Sequence, residues 1–447
     1  MGADSNGCSA AQQPGTPVRT IHAALVCVQA GNGDQIMVAE GTSYSDGLPS
    51  LDNQAGYSAA YPTVIQSYDP ADPLNEGKYG RAANGRRPVI NTGGIDQQDI
   101  TCCNSNAVDY LAIRGFDINP GDKPDLKVTF VGSNSYVLIE NNIFRYTSLT
   151  FDQRPSTHHV VRHNAFYGEW SATAHAQGLY EAGVDGLTAE DNVFYHNGWR
   201  MGVSRDADPT VGGTTVFRHS IYQQVNSSAV VRRNLFIDPS ATGCSCRGDT
   251  TISENVFIDN PISIMAGLGT DYNTVRPNGV SIDIGYNAIL GDADINSANP
   301  RGEAVTTGDG KLGSAFHHNL IARSRNPNAV NIAAFNPSAG YNLPTYMDFH
   351  DNLEYLYAAP GKVVINSGAY ATTQIFATFN NNAWSDPASG TNTNSSTMAL
   401  PNPYTEAQLL TQLGCTDKAS CAAKMIETPE QNWAPKARAI LWQGYGR

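Results

Sequence analysis

The side chains best suited to chemistry gather in one part of the chain. Between Arg114 and Arg247 stand six of the ten histidines, and 12 Lys and Arg face 13 Asp and Glu, a net of −1 in a protein of net charge −13. A locally balanced block in an otherwise acidic chain suits an anionic substrate. Inside it Asp152, Tyr180 and Tyr222 each precede a recurring asparagine by twelve residues, while Phe151, Leu179 and Ile221 precede it by thirteen. An apolar column beside a polar one is the pattern of strands with one face in a core and the other outward. On strict alternation Arg154, Arg218 and Gln224 share the outward face, His175 and His219 flank it, and Glu181 turns to the opposite side.

Two reactions fit such a strip. In β-elimination on a uronic-acid polymer, a base removes the C5 proton while cations neutralise the carboxylate and the developing enolate. Tyr180 beside Tyr222, or His175 or His219, would be base or acid; Arg154, Arg200, Arg205 and Arg218 would meet the carboxylate, which guanidinium matches bidentately. In glycoside hydrolysis two carboxyl groups flank the bond, and Asp152 with Glu181, Asp206 or Asp185 would be the pair. A non-catalytic alternative makes Tyr180, Tyr222, Trp170 and Trp199 stacking platforms for sugar rings in a binding or adhesive protein.

The elements that must position these groups are written in a repeat. ENNIF, RHNAF, EDNVF, RRNLF, SENVF, GYNAI, HHNLI, HDNLE and NNNAW align on Asn142, Asn164, Asn192, Asn234, Asn255, Asn287, Asn319, Asn352 and Asn382, at steps of 22, 28, 42, 21, 32, 32, 33 and 30. The residue after each Asn, and the one three before it, is apolar in all nine. A short strand, an Asn at a sharp turn and a new strand, recurring every 20 to 33 residues apart from one longer step, describe a β-solenoid whose asparagines stack at one corner. Asn tolerates the left-handed backbone such a turn requires. The longest step, 42, inserts a loop near 196–213 that carries Trp199, Arg200, Arg205, Asp206 and Asp208, and long loops on rigid coils tend to carry function.

With the repeat in place, the stretches Thr20–Leu25 (TIHAAL), Gly33–Tyr44 (GDQIMVAEGTSY) and Tyr110–Phe116 (YLAIRGF) make residues 18–384 resemble the right-handed parallel β-helix proteins of the pectate-lyase-like superfamily. The resemblance implies an all-β, single-stranded parallel β-helix of about ten coils, with an N-terminal capping helix in which Ile21, Leu25 and Val28 face the core. That superfamily holds lyases, hydrolases, epimerases and adhesins, so it implies a polysaccharide partner without choosing the reaction. The division expected is an extension over 1–17, the β-helix over 18–384, a linker over 385–403 and a helical cap over 404–447, with helices near 404–414 and 435–443 closing the far end.

Composition agrees. With 447 residues, 15% charged, 42 Gly and 39 Asn, the chain is too poor in charge for a coiled coil, and its 40% apolar residues are enough to bury a core. The acidic balance argues against nucleic acid, and no apolar run is long enough to span a bilayer. The eight cysteines fall in sequence-local pairs, 8 with 27, 102 with 103, 244 with 246 and 415 with 421, which points to short bridges in a secreted or periplasmic protein. The start, MGADSNGC, lacks the plan of a signal peptide and reads as a mature chain in which Met-Gly replaces a leader. A monomer without cofactor or metal is expected. Asp206-Ala-Asp208 and Asp292-Ala-Asp294 are weak Ca²⁺ candidates, and His159 in the 158–163 cluster occupies an apolar column, which suits a buried histidine better than a ligand.

Overall fold

The computed structural model describes residues 2–13, 15–45, 47–48, 55–69, 87–91, 99–102, 108–152, 155–173, 175–224, 226–267, 276–291, 293–322, 333–335, 344–355, 363–365, 375–384, 396–397 and 404–446. Its strands form three sheets in which every ladder is parallel, and each coil contributes to all three in turn, the arrangement of a parallel β-helix. The first sheet runs from Gln35–Ala39 to Ile375–Asn380 through twelve successive coils, two more than the repeat suggested. The second lies just beyond the repeat asparagines (Ile143–Arg145, Ala165–Tyr167, Val193–Tyr195 and their successors), and the third holds Ser148–Asp152, Ala176–Glu181 and Arg218–Gln223.

The nine asparagines form a ladder inside the corner between the first and second sheets. Each side-chain amide donates to the next Asn at 2.9–3.1 Å, from Asn142 to Asn382. Each Oδ1 also accepts the backbone N–H of the preceding Asn, as Asn255 does from Asn234 at 2.8 Å. Placing the left-handed turn on the Asn itself was one residue out. The residue before it takes the positive φ in all nine coils: Asn141, His163, Asp191, Arg233, Glu254, Tyr286, His318, Asp351 and Asn381. This leaves the Asn side chain pointing inward to bond along the stack. A left-handed L-residue costs about 1–2 kcal/mol, which the amide ladder and the buried strands around it must offset. Two residues after the Asn, Phe144, Phe166, Phe194, Phe236 and Phe257 stack at 4.7–5.0 Å and fill the core.

At the N-terminus α1 (Cys8–Ala11) is tied by the Cys8–Cys27 disulfide to α2 (Ile21–Leu25), whose Thr20 cap accepts from Ala23 N–H. α2 is shorter than expected, but Ile21 and Leu25 are buried in the core and Val28 packs against it. The bridges Cys244–Cys246 and Cys415–Cys421 also form; Cys103 lies outside the described residues. No helix among the described residues is long and apolar enough to cross a membrane.

The C-terminal helices are α3 (Glu406–Gln412), α4 (Lys418–Glu427) and α5 (Trp433–Gly444). The sequence reading missed α4 and put the helices over the end of the solenoid. Instead they lie along its flank, α4 against Ala165–Tyr167 and Val193–Tyr195, and α5 against Val256–Ile258 and Ala288–Leu290. Leu409, Met425, Trp433 and Leu441 pack with Val193, Leu235, Val256 and Ala288 in a second apolar cluster. This is why the residue after every repeat Asn is apolar: the second sheet is covered on both faces, and such strands lose the polar half of their alternation. Within the segment read as a linker, Ser396–Thr397 adds a strand to the second sheet beside Ala383–Trp384.

Candidate functional site

On the outer face of the third sheet lies a cleft of about 340 Å³. Its floor comes from three successive coils, with Ser148, Thr150 and Asp152 on the first, His175, Gln177 and Tyr180 on the second, and Tyr222 and Gln224 on the third. Lys127 lies at one side, and Asp125, Glu169 and Trp170 form the wall from the loops above. Tyr180 and Tyr222 are register partners whose rings stack at 5.8 Å and 5°, and Gln224 Nε2 donates to the Tyr180 hydroxyl at 3.4 Å. Burial raises the Tyr180 pKa, with the Gln224 hydrogen bond opposing and the negative charge of Asp152 adding to the rise. A phenol so placed stays protonated at neutral pH.

The register differs from the ruler drawn from the asparagines. Thr150, not Asp152, pairs with Tyr180, so Asp152 lies two residues further along the same face and still reaches the cleft. Alternation is also broken upstream. A Cβ on Gly178 would meet the core ring of Phe194 at 3.2 Å, and one on Gly243 would meet Phe257 at 2.8 Å, so these positions point inward although Leu179 and Cys244 beside them are also in the core. The ladder skips both glycines. Two consecutive inward residues reverse the parity of everything before them, bringing His175 and Gln177 onto the cleft face with Tyr180.

The same reversal turns Arg218 away from the cleft. It is fully buried and its guanidinium donates to the carbonyls of Gly213 at 2.6 Å, Ser171 at 2.7 Å and Pro209 at 3.0 Å, pinning the long loop to the coil. Arg205 is likewise spent on structure: it binds Asp238 Oδ1 at 2.6 Å and the carbonyls of Pro239, Ser240 and Asp294, with its guanidinium over Trp199. Burial pushes the Asp238 carboxyl up, but His196, Arg205 and Lys418 outweigh it and hold the group at about 2. Trp199 and Trp170 are both buried, with their indole N–H groups on Asp238 O and Asp122 Oδ1, so neither ring is an open platform, although Trp170 lines the cleft wall. Asp206 and Asp208 accept backbone N–H groups of Ser297 and Thr210, and Asp294 that of Arg301, so each carboxylate is engaged in holding loop backbone. Arg200 stands at the rim, over the Trp170 ring and paired with Asp122.

His219, the register partner of Gln177 on the same face, is stacked against Tyr222 at 5.2 Å and buried, outside the cleft lining. Burial, then the nearby Arg247 and His175, bring its pKa down to about 3, so it is neutral and poorly placed to exchange protons with a ligand. Glu181 is fully buried away from the cleft, as alternation implied, and burial raises its pKa well above the ordinary value. His159 is fully buried against Phe151 with a pKa of about 3, set by burial first and His158 second. Arg154 and Asp292 lie outside the described residues.

Two groups, one beside the cleft lining and one in its wall, escaped the sequence reading. Arg247 holds its guanidinium 5.2 Å from the centre of the Tyr222 ring; it follows the third-sheet strand of the next coil, where its only signal is position. Glu169 lines the wall, its Oε2 accepting from Asn197 at 2.6 Å, and burial raises its pKa well above the ordinary range despite Asn197, Gly198 and Arg218. The Gly-Glu-Trp that follows Tyr167 was its signal, a carboxylate at the end of a second-sheet strand with an Asn at the same place in the next coil.

Comparison with known proteins supports the fold. Residues 127–280 match the sequence family described as a right handed beta helix region, which identifies the solenoid as right-handed. No curated protein sequence matches the chain. Similar solved structures include an alginate lyase from Paenibacillus sp. str. FPU-7 (13% identity over 84% of this chain and 96% of that one, TM-score 0.34). A mannuronic acid specific polysaccharide family 6 lyase from human gut microbiota gives 12% over 94% and 96%, TM-score 0.40, and a GH136 lacto-N-biosidase from Eubacterium ramulus gives 12% over 84% and 66%, TM-score 0.36.

Proposed function

We propose that the protein is an exported enzyme that cleaves a uronic-acid-containing polysaccharide by β-elimination in the third-sheet cleft. The observation that carries this reading is the protonated Tyr180 phenol, held by Gln224 and stacked on Tyr222, opening beside Lys127 and His175. A uronate ring lies against the tyrosine pair. His175 takes the C5 proton, Lys127 neutralises the carboxylate as the enolate develops, and Tyr180 protonates the C4 oxygen as its bond to C4 breaks, leaving a C4–C5 double bond. This gives Tyr180 the acid's part and moves the cationic role from Arg205 and Arg218 to Lys127. The three disulfides among the described residues support an oxidising compartment.

Glu169 favours a second reading. A carboxyl kept neutral by burial at a cleft that also holds Asp125 and Asp152 is the arrangement of a glycoside hydrolase, with Glu169 as acid. Incubation with a panel of acidic and neutral polysaccharides separates the two. Unsaturated-uronate absorbance rising with reducing ends, abolished by Tyr180→Phe and kept by Glu169→Gln, supports elimination. Reducing ends alone, lost in Glu169→Gln, replace it with hydrolysis, and binding without either product makes the cleft a recognition platform.

A further inference from the structure

Far along the solenoid from the cleft, the corner between the first and second sheets changes its chemistry. In earlier coils the two residues before the ladder Asn are closed by Arg–carboxylate pairs: Arg114 and Arg162 on Glu140, Arg232 and Arg233 on Glu190, Arg233 on Asp191. In the coils ending at Asn319 and Asn352 the same positions hold His317, His318, His350 and Asp351. His317 and His350 are register partners with rings stacked at 5.2 Å and 9°. The coil before makes room, since a Cβ on Gly285 would meet the His317 ring at 2.4 Å, and Tyr286 stacks on His318 at 4.9 Å.

We propose that His318, His350 and Asp351 form a binding site for a divalent transition-metal ion, Zn²⁺ being the best match. One ligand atom from each lies within 4.8 Å of the others, all three side chains are partly exposed, and Asp351 Oδ2 stands 2.8 Å from His350 Nδ1 and 3.9 Å from His318 Nε2. Tetrahedral zinc with bonds of about 2.0–2.1 Å sets its ligand atoms roughly 3.3 Å apart, between those two distances. Two imidazoles and one carboxylate select zinc, copper or nickel over calcium or magnesium, which take oxygen ligands.

A hydrogen-bonded chain behind the site fixes the tautomer. His318 Nδ1 lies 3.1 Å from His317 Nδ1, and His317 Nε2 lies 2.9 Å from Asp283 Oδ1. With His317 donating from Nε2 to Asp283, its Nδ1 is an acceptor and His318 must donate from Nδ1, which leaves the His318 Nε2 lone pair free for the metal. Metal-bound histidines are held by such outer partners almost without exception. His350 would ligate as the tautomer protonated on Nε2, its Nδ1 lone pair turned to the metal in place of the contact with Asp351, and water would fill the fourth position.

Titration of the full chain with ZnCl2 after EDTA dialysis tests this. Calorimetry is expected to give one site per chain at micromolar or tighter affinity, a raised melting temperature with ZnCl2 but not CaCl2, and visible tetrahedral bands with CoCl2. His318→Gln and Asp351→Asn should each weaken binding at least tenfold, and His317→Phe should weaken it 10–100-fold as a positioning residue. His163→Gln, at the corresponding corner of an earlier coil, should bind as the parent does. Far-UV circular dichroism of the metal-free variants confirms that they fold. No zinc binding at up to 100-fold excess, or binding unchanged in the folded His318→Gln, Asp351→Asn double variant, overturns the proposal.

Discussion

Tyr180 and Glu181 are neighbours whose pKa values burial raises alike, but only Tyr180 faces the cleft. Tyr180→Phe is expected to lower kcat by roughly 10²–10⁴, the usual worth of a positioned acid, while Glu181→Gln keeps activity in the same assay. Glu181 leaves its mark on stability. Its folded pKa lies above the ordinary 4.5, so the stabilisation it carries is complete below that pH and is lost as pH rises through the folded value. The urea midpoint of Glu181→Gln should therefore gain on the parent as pH rises from 4.5 to 8. His159 has the opposite sign: its folded pKa is depressed to about 3 from 6.5, so its contribution is complete above 6.5 and drains away as pH falls toward 3. His159→Leu, which copies Leu187 at the same place in the next coil, should flatten that part of the midpoint–pH curve. Tyr180 and Tyr222 were legible at this scale because both lie between the glycine kink and the Asn used as a ruler. Arg218 lies on the far side of the kink, where parity reverses, and Glu169 and Arg247 lie on segments the ruler did not reach.

The corner ladder is the element that sets the coils. Asn255 accepts the backbone N–H and amide of Asn234 and donates to Val231 O and Asn287 Oδ1, all within 3.1 Å. Asn255→Ala leaves those buried groups unsatisfied at about 1–3 kcal/mol each, so a loss of at least ~3 kcal/mol is expected from urea unfolding. Asn255→Asp does little better, since it cannot donate to Val231 or Asn287. The ladder was readable because it recurs nine times with apolar neighbours at fixed offsets. The left-handed residue was not, because its position accepts Asn, His, Asp, Arg, Glu and Tyr alike, so composition gives no mark of it. The apolar residue after each Asn was visible, but what covers it depends on three helices distant in sequence.

At the scale of the molecule the three sheets have different fates. One face carries the cleft, one corner carries the histidine cluster, and the second sheet is closed by α3, α4 and α5. Ion pairs between Arg145 and Glu427, Arg87 and Glu430, and Lys418 and Asp259 fix the helices lengthwise, but the apolar contact does most of the holding. Leu441, 1% exposed against the sheet, is expected to cost about 2–5 kcal/mol when cut to Ala, measured as a fall in the urea midpoint. Residues 404–446 follow every strand they cover, so during synthesis the apolar stripe from Ile143 to Ala383 is complete before its cover exists. A nascent chain therefore shows a long, sticky seam to its surroundings until its helices emerge. Shielding that seam in the interval falls to a chaperone, and a chain stopped before α3 would keep the seam bare and self-associate.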